Sequence, residues 1–383
     1  MSDTIDEKNQ EWGFGNTKSA TFILTEDCQL VCKYCYLVGK NKKGKMSFDI
    51  ARRTIDLIMK DRFLYDSDSI IFDFIGGEPF LEIDLIDQIC NYFKLKAYTE
   101  NHPWFNGYRF SFTTNGLNYH TQKVQDFIRK NKSHLSIIIT IDGTKEKHDM
   151  NRIFPNEQGS YDLVLKNIPL WISQFPEANT KVTVSSDDLP YLKDSILHLW
   201  NLGIKKVNSN VVFEDSWKEG DDQLYKEQLI MLADEIILNN LHTNHNCSFF
   251  TKGIGTPKPE NQNWCGAGGM IAVDHTGNFY PCIRFAPFSL QNKEARSIGN
   301  CFDGLNHNRI RPFLTLDLIS QSNPECLNCE VARGCAWCQG ANYDFADSET
   351  IYQRSTYVCK MHKARVEANN YFWEKLDSNK TKS

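Results

Sequence analysis

Along roughly the first two-thirds of the chain, short runs of β-branched and aromatic residues alternate with longer stretches whose apolar positions recur at helical spacing. The strand-like runs are SATFILTED (19–27), SIIFDFIGG (69–77), YRFSFTTNG (108–116), LSIIITIDG (135–143), KVTVSS (181–186) and KKVNSNVVF (205–213). Between and after them lie the helical patterns SFDIARRTIDLIMKD, DLIDQICNYFKLKAY, TQKVQDFIRKN, YDLVLKNIPLWIS, LPYLKDSILHLW and EQLIMLADEIILNNL. Strand–helix units of about 30 residues, repeated in this way, predict an α/β core whose parallel sheet coils toward a barrel and stops short of closing. An open flavodoxin-like sheet gives a similar string, so the periodicity leaves that choice open.

After about residue 245 the alternation stops. TKGIGTPKPENQNW (251–264), rich in Gly, Pro and polar residues, predicts a linker. Beyond it MIAVDHTGNFYPC predicts a hairpin turning at His275–Asn278, followed by cysteine-rich loops. The expected organisation is an N-terminal tail (1–18), a core (19–245), a small cysteine-rich domain (246–370) and a C-terminal tail (371–383). Both ends, MSDTIDEKNQ and KLDSNKTKS, are expected to be disordered.

Composition adds constraints. A length of 383 residues favours two domains, one large and one small. With 41% hydrophobic residues, 24% charged and a net charge of -5, no broad basic field argues for nucleic acid. The single basic run, KNKKGK (40–45), is expected to be a solvated loop. The first 20 residues lack the apolar core of a signal peptide, and no apolar run of about 20 residues occurs, so a cytoplasmic protein without membrane contact is expected. In such a reducing compartment thirteen cysteines point to metal ligation rather than disulfides.

Three of those cysteines lie in TEDCQLVCKYCYLVGK, where Cys28, Cys32 and Cys35 are spaced C-x3-C-x2-C with Tyr34 and Tyr36 flanking the last. Four thiolates would close a cluster or a zinc site, whereas three leave one metal position open. The triad follows the first strand, at the carboxyl edge where this architecture places its chemistry.

This arrangement resembles the radical S-adenosylmethionine (SAM) enzymes. The resemblance implies a partial (βα)6 TIM-like barrel in which Cys28, Cys32 and Cys35 hold a [4Fe-4S] cluster whose fourth iron is chelated by SAM. One electron, from a low-potential donor such as ferredoxin or flavodoxin, then cleaves SAM to a 5'-deoxyadenosyl radical that abstracts a substrate hydrogen. Further segments match in order. GGEP (76–79) would bring Gly76 and Gly77 against the SAM amino group with Glu78 helping to organise it, and TTNG (113–116) would place Asn115 near the ribose. TIDGTKEKHDMNR (140–152) would put Thr140 on the ribose or amino acid and Arg152, whose planar fork pairs bidentately, on the carboxylate. Tyr34 would pack beside the adenine, and Ser185 and Asn210 would join the same ring of contacts. Cys90, among Ile86, Ile89 and Phe93, reads as core packing, and His148 as a helix-surface or capping residue.

In the second cysteine group Cys265 precedes Gly277 and Cys282 in C-x11-G-x4-C, then Cys326, Cys329, Cys335 and Cys338 give C-x2-C-x5-C-x2-C, with Cys359 closing the set. On its own CLNCEVARGCAWC also suits zinc. The whole set resembles the SPASM extension of peptide- and protein-modifying radical SAM enzymes, which binds two auxiliary [4Fe-4S] clusters. Carried over, Cys326, Cys329, Cys335 and Cys359 would hold the outer cluster, and Cys265, Cys282 and Cys338 the inner one. The last spacing is x2 where x3 is commoner. For a fourth inner ligand Cys247 and Cys301 are the candidates, failing which the open iron would suit a substrate thiolate.

Sulfatase-maturing relatives carry an Asp directly after the cysteine corresponding to Cys282 and use it as a base, whereas this chain has Ile283, which cannot accept a proton. LTEDCQLVCKYCY, FDFIGGEPFLEID and CAWCQGANYD most resemble the maturases of small peptides with CXXX cysteine repeats (ranthipeptide type). That resemblance implies a precursor peptide as substrate and a cysteine-sulfur-to-carbon thioether as product, with sulfatase maturation to formylglycine or carbon–carbon crosslinking as alternatives. Only 27 residues precede Cys28, so leader recognition is expected to use the barrel mouth, the C-terminal domain or a separate recognition protein. Asp274, Tyr343 and Asp344 lie near cluster ligands, but no base is identified among them.

Overall fold

The computed structural model describes residues 17–254, 265–332, 335, 338–346, 351 and 353–380. Most of the expected linker and the first 16 residues lie outside this set.

The core strands are β1 (Thr17–Ile23), β2 (Ser69–Ile75), β3 (Tyr108–Thr114), β4 (Leu135–Ile139), β5 (Asn179–Val184) and β6 (Lys206–Val211). The helices between and after them are α1 (Phe48–Ile58), α2 (Ile83–Thr99), α3 (Gln122–Asn131), α4 (Lys145–Asn151), α5 (Tyr161–Leu165), α6 (Ile168–Gln174), α7 (Leu192–Asn201) and α8 (Asp221–Leu238). Every expected strand is present, and the pattern YDLVLKNIPLWIS divides into the two short helices α5 and α6.

Each strand buries alternate residues. Ile70, Phe72 and Phe74 of β2 and Phe110 and Phe112 of β3 are buried, with Phe74 and Phe112 stacked at 5.2 Å and Phe72 set edge-on to Phe93 of α2 at 4.6 Å. The intervening positions, Asp73, Ser111 and Thr113 among them, are only partly covered. Parallel strands packed on both faces are usually apolar throughout. Here the outward face packs beneath the helices, while the inward face is polar and lines a hollow interior.

β1–β4 pair in parallel, in the order β1-β2-β3-β4, and β5 pairs with β6, but no ladder joins β4 to β5. Side chains bridge that gap. The Thr180 hydroxyl donates to Ile139 O (2.7 Å) and accepts from Ile141 N (3.2 Å), Trp171 Nε1 donates to Ile137 O (2.9 Å), and Asp142 Oδ1 accepts from Thr183 N (3.3 Å). The buried polar backbone at the break is thereby satisfied without a sheet.

The C-terminal part is woven into this core. Downstream of the expected boundary at 245/246, β7 (Asn246–Cys247) pairs with β6. β8 (Ile271–Val273) pairs in parallel with β1, and β9 (Asn278–Tyr280), β10 (Gly299–Asn300) and β11 (Gly304–Leu305) continue as antiparallel neighbours, so one sheet runs β11-β10-β9-β8-β1-β2-β3-β4. The hairpin expected around His275–Asn278 is β8–β9, its turn held by Asp274 Oδ1, which accepts from Thr276 N (2.9 Å) and Asn278 N (3.0 Å).

The chain continues through α9 (Gln339–Phe345) to a long helix, α10 (Cys359–Lys380). The expected tail at 371–383, with its end KLDSNKTKS (375–383) expected to be disordered, is as far as Lys380 the end of this helix. Phe372 and Leu376 are buried, and Tyr371 and Lys375 both donate to Asp234 of α8 (2.7 Å each). Among the described residues no helix is long and apolar enough to cross a membrane.

The Thr180→Val variant keeps shape but strands Ile139 O and Ile141 N at the β4–β5 break. It is expected to lose about 2 kcal/mol, read as a lowered midpoint of urea unfolding; an unchanged midpoint would mean that the break is not held by this hydroxyl.

Candidate functional site

The triad lies on the loop after β1. Its backbone is pinned from two sides: Val31 N and Lys33 N donate to Ile153 O (2.8 Å) and Asn151 O (3.0 Å), and Cys28 N donates to Asn41 Oδ1 (3.2 Å). Gly77 N and Glu78 N, just after β2, donate to Thr25 O (2.8 Å) and Asp27 O (2.9 Å). A Cβ on Gly76, whose φ is +155°, would meet Thr25 O at 2.4 Å, and one on Gly77 would meet Asp27 O at 2.1 Å. These glycines are therefore required by the close approach of two backbones beside the triad, a reason distinct from the ligand approach expected from sequence.

The Glu78 carboxylate is buried and accepts from Thr114 Oγ1 (2.6 Å), Asn115 N (2.7 Å) and Phe80 N (3.0 Å), which ties the ends of β2 and β3 together. Asn115 Nδ2 in turn reaches Gln29 Oε1 (3.0 Å) and Cys28 Sγ (3.9 Å).

A second network radiates from Asp142, just after β4. Its carboxylate accepts from the Tyr34 hydroxyl, which also accepts from Arg152 Nη1 (3.0 Å). The Asp142 amide donates to His148 Nδ1 (3.3 Å), so His148 Nε2–H donates to Ser160 Oγ (3.0 Å), which donates to Arg152 O (2.8 Å). Burial and then Arg152 keep the pKa of His148 well below its ordinary range, so this histidine is a neutral structural link. Arg152 is itself buried and its Nε has no hydrogen-bond partner. An orphaned guanidinium donor beside a cavity fits an anionic ligand.

These elements surround a cavity of about 420 Å³. Cys28, Cys32, Cys35, Tyr34, Gly76, Gly77, Glu78, Asn115, Thr140, Arg152 and Asn210 all line it. Ser185, expected in the same ring, is not among the lining residues; its hydroxyl donates to Asp188 Oδ2 (2.9 Å) in the cap of the next helical turn.

None of the thirteen cysteines is in a disulfide. Burial raises the Cys28 thiol to about 11, with Glu78 and Cys32 adding to the effect. Burial raises Cys282 as well, followed by the influence of Cys338 and Cys265. Burial raises Cys335 to about 11, with Cys359, Cys326 and Cys329 adding to it. Burial opposes ionisation of Cys28, Cys32, Cys265, Cys282, Cys335 and Cys359, and electrostatic influence links Cys28 with Cys32, Cys32 with Cys35, Cys282 with Cys265 and Cys338, and Cys335 with Cys326, Cys329 and Cys359. Among the described residues no group of three or more Cys, His, Asp or Glu side chains is placed to hold a metal ion; a cationic centre would offset the cost of ionising the Cys28 and Cys32 thiols, a donor type that suits iron–sulfur ligation.

The two other candidates for the inner set lie elsewhere. The Cys247 thiol sits 3.8 Å from Ser209 Oγ and is influenced by Arg365, and Cys301 packs against the Gly277 turn near Arg53 and Asp49. Neither is influenced by Cys265, Cys282 or Cys338. Asp274, Asp344 and Tyr343 are used structurally: Asp344 accepts from the backbone N–H groups of Gln291, Asn292 and Lys293, and Tyr343 donates to Glu294 O. Cys90 is buried core, as expected.

Cys282, named from sequence as a ligand, lines the same cavity as the triad; sequence reasoning missed its neighbours there, Asp73, Lys181, Glu214 and Arg284. Arg284 pairs with Glu214 (2.8 Å) and lies 4.5 Å from the centre of the Tyr36 ring. Burial raises Asp73 to about 6, opposed by a hydrogen bond from Ser111 and by Lys181, and burial lowers Lys181. The available signal was parity: a charged residue inside IIFDFI or KVTV falls on the inward face of its strand.

Three comparisons bear on this geometry. Residues 13–164 match the family described as 4Fe-4S single cluster domain. A cysteine-type anaerobic sulfatase-maturating enzyme of Clostridium novyi is 31% identical over 149 residues, which is 38% of this chain and 38% of that one. Among solved structures, native anSMEcpe with bound AdoMet and Cp18Cys peptide superposes with a TM-score of 0.71 at 19% identity, covering 94% of this chain and 99% of that one. Streptococcus suis SuiB bound to precursor peptide SuiA gives 0.59 at 12% identity, covering 91% and 78%. The chain therefore shares the fold of these solved structures, an α/β core followed by a cysteine-rich extension.

The raised pKa of Asp73 has a signed consequence. Its folded value of about 6 exceeds the ordinary 3.8, so its contribution to stability is full below 3.8 and is lost as pH rises through 6. Asp73→Asn removes that loss and is expected to gain about 2 kcal/mol relative to the parent between pH 4.5 and pH 7.5. Melting temperatures of both proteins across that range check the sign; a difference independent of pH would contradict it.

Proposed function

We propose that this chain is a radical SAM enzyme that modifies a cysteine-containing peptide, and that its product is a thioether between a cysteine sulfur and a carbon of the same peptide. The observation that carries this reading is the sharing of one cavity by two thiol sets: Cys282 of the inner set lines the same space as Cys28, Cys32 and Cys35. A peptide segment inside it can present a C–H bond to the triad side and a sulfur to the Cys282 side.

With Cys28, Cys32 and Cys35 as ligands, a bound [4Fe-4S] cluster and SAM supply a 5'-deoxyadenosyl radical for hydrogen abstraction. The chain's own residues do the rest. Arg152, held by Tyr34, lines the cavity and would pair with the SAM carboxylate. Glu78 and Asp142 fix the strand ends and the triad loop against each other, so that SAM and substrate are held in place. Cys265, Cys282 and Cys338 would hold the inner auxiliary cluster and Cys326, Cys329, Cys335 and Cys359 the outer one. With Cys247 and Cys301 elsewhere, the inner set leaves a position for the substrate sulfur. Forming the C–S bond would remove one hydrogen atom from carbon, which leaves as part of 5'-deoxyadenosine, and one proton to solvent and one electron from the thiol side, the electron passing to an auxiliary cluster held by Cys265, Cys282 and Cys338.

Formylglycine formation is the second reading, favoured by the overlap with anSMEcpe and by the sulfatase-maturating relative. Ile283 argues against it where a base directly follows Cys282, but Asp73 and Glu214 line the cavity and are able to accept a proton. The SuiB superposition supports a precursor peptide as partner, and a low-potential carrier protein is needed for the electron.

Anaerobic coexpression with the cysteine-repeat peptide encoded beside the gene, followed by thiol alkylation and mass spectrometry, separates the readings. Thioether formation predicts loss of two hydrogens per link and cysteines that resist alkylation after reduction. Conversion of a cysteine to an aldehyde would instead identify the second reading. In the same assay Cys28→Ala is expected to abolish both SAM cleavage and modification. Cys338→Ala is expected to lose modification yet keep part of the 5'-deoxyadenosine release; equal loss of both would contradict the division between the thiol sets.

A further inference from the structure

The basic run at residues 40–45, expected to be merely solvated, is folded directly onto the triad loop. Asn41 N donates to Glu26 O (3.0 Å), Gly44 N to Glu26 Oε2 (3.1 Å), Cys28 N to Asn41 Oδ1 (3.2 Å) and Lys40 Nζ to Leu30 O (3.2 Å). The strap is therefore fastened to the triad loop at Cys28 N through Asn41 and at Leu30 O through Lys40, and its lysines flank that attachment. Lys33, next to Cys32, and Lys42 and Lys43 are exposed and make no ion pair among the described residues.

The carboxylates around them are largely engaged. Glu82 pairs with Lys45 (2.5 Å), Asp187 with Lys218 (2.5 Å) and Glu26 with the strap backbone, leaving Asp27 exposed beside Cys28. In the same loop Val38 is 49% exposed, an apolar spot next to the basic strap.

The backbone gives a second, independent hint. Asn41 and Lys43 both have φ of +64°, a left-handed conformation that asparagine and glycine adopt easily. A lysine there costs about 1 kcal/mol relative to glycine, so the turn itself does not call for Lys43. The cost is explained if the charge is used.

We infer that Lys33, Lys42 and Lys43, around Val38, form the docking surface for a small acidic one-electron carrier protein that reduces the cluster held by the triad directly. The inference rests on the proposed iron–sulfur role of Cys28, Cys32 and Cys35. An acidic carrier is repelled by a chain of net charge -5 except where the local sign is reversed, so a basic patch over the acceptor selects a productive orientation. The step is a simple exchange: the carrier is oxidised by one electron, the cluster is reduced by one, and no proton need cross. The described residues at the outer cysteine set are of mixed sign, with Glu325 and Glu330 beside Lys360 and Lys363, and offer no such selection.

The test uses the full chain with its clusters reconstituted and flavodoxin as the acidic probe, without any peptide. Binding, measured by titration calorimetry, is expected to weaken as salt rises from about 50 to about 200 mM. The double variant Lys42→Glu with Lys43→Glu is expected to bind about tenfold more weakly at low salt, while dithionite reduces its cluster to the same extent as the parent's. Unchanged flavodoxin affinity would overturn the inference. So would a loss of dithionite reduction, which would place the lysines in cluster retention, or a weakening seen only with Lys360→Glu and Lys363→Glu, which would move entry to the outer end. Because no peptide is present, each result is independent of whether the product is a thioether.

Discussion

A carboxylate with no solvent exposure, that of Asp142, is the joint on which the site depends. It closes the β4–β5 break through Thr183 N, holds Tyr34 of the triad loop by the phenol, and through that phenol fixes Arg152. Its own amide engages His148, whose other nitrogen leads back through Ser160 to the Arg152 carbonyl. An isolated buried carboxylate would cost several kcal/mol; here the charge is offset by hydrogen bonds and by the guanidinium one phenol away. One residue thereby couples the interruption of the barrel, the thiol loop and the cation that faces the cavity.

The hollow interior follows from the same economy of polar groups. A barrel filled by branched apolar side chains has no room for a ligand. Asp73, Ser111, Thr113, Lys181 and Thr183 replace that filling on the inward parity of the strands, and the apolar faces are kept for the helices. The thiols accumulate at the open edge of this space, where β8 brings the C-terminal hairpin against β1 and so carries Cys282 to the triad's cavity. The extension is thus part of the wall of the reaction space as well as a carrier of further thiols.

Much of this was legible in the chain. Alternating residues such as Phe72 and Phe74 marked the strands, and the spacing of Cys28, Cys32 and Cys35, with GGEP and Arg152 in order, marked the site. What escaped was decided by side chains acting across the fold. Thr180 replaces a ladder with a hydroxyl, which no periodicity reveals. Ser185 was drawn away from the cavity by Asp188, although the S-x-x-D pattern was there to be read as a cap. The C-terminal helix was hidden by its polar end, and its stability comes from α8, a contact remote in sequence.

The proposed function has the cysteines form three separate metal-binding sets. Iron and acid-labile sulfide per chain, measured after anaerobic reconstitution of the parent and of a Cys28→Ala, Cys32→Ala, Cys35→Ala variant, test it most directly. Three [4Fe-4S] clusters predict about twelve of each in the parent and about eight in the variant, with a visible chromophore retained. Zinc without sulfide in either protein, or loss of all iron from the variant while it remains folded, would contradict it.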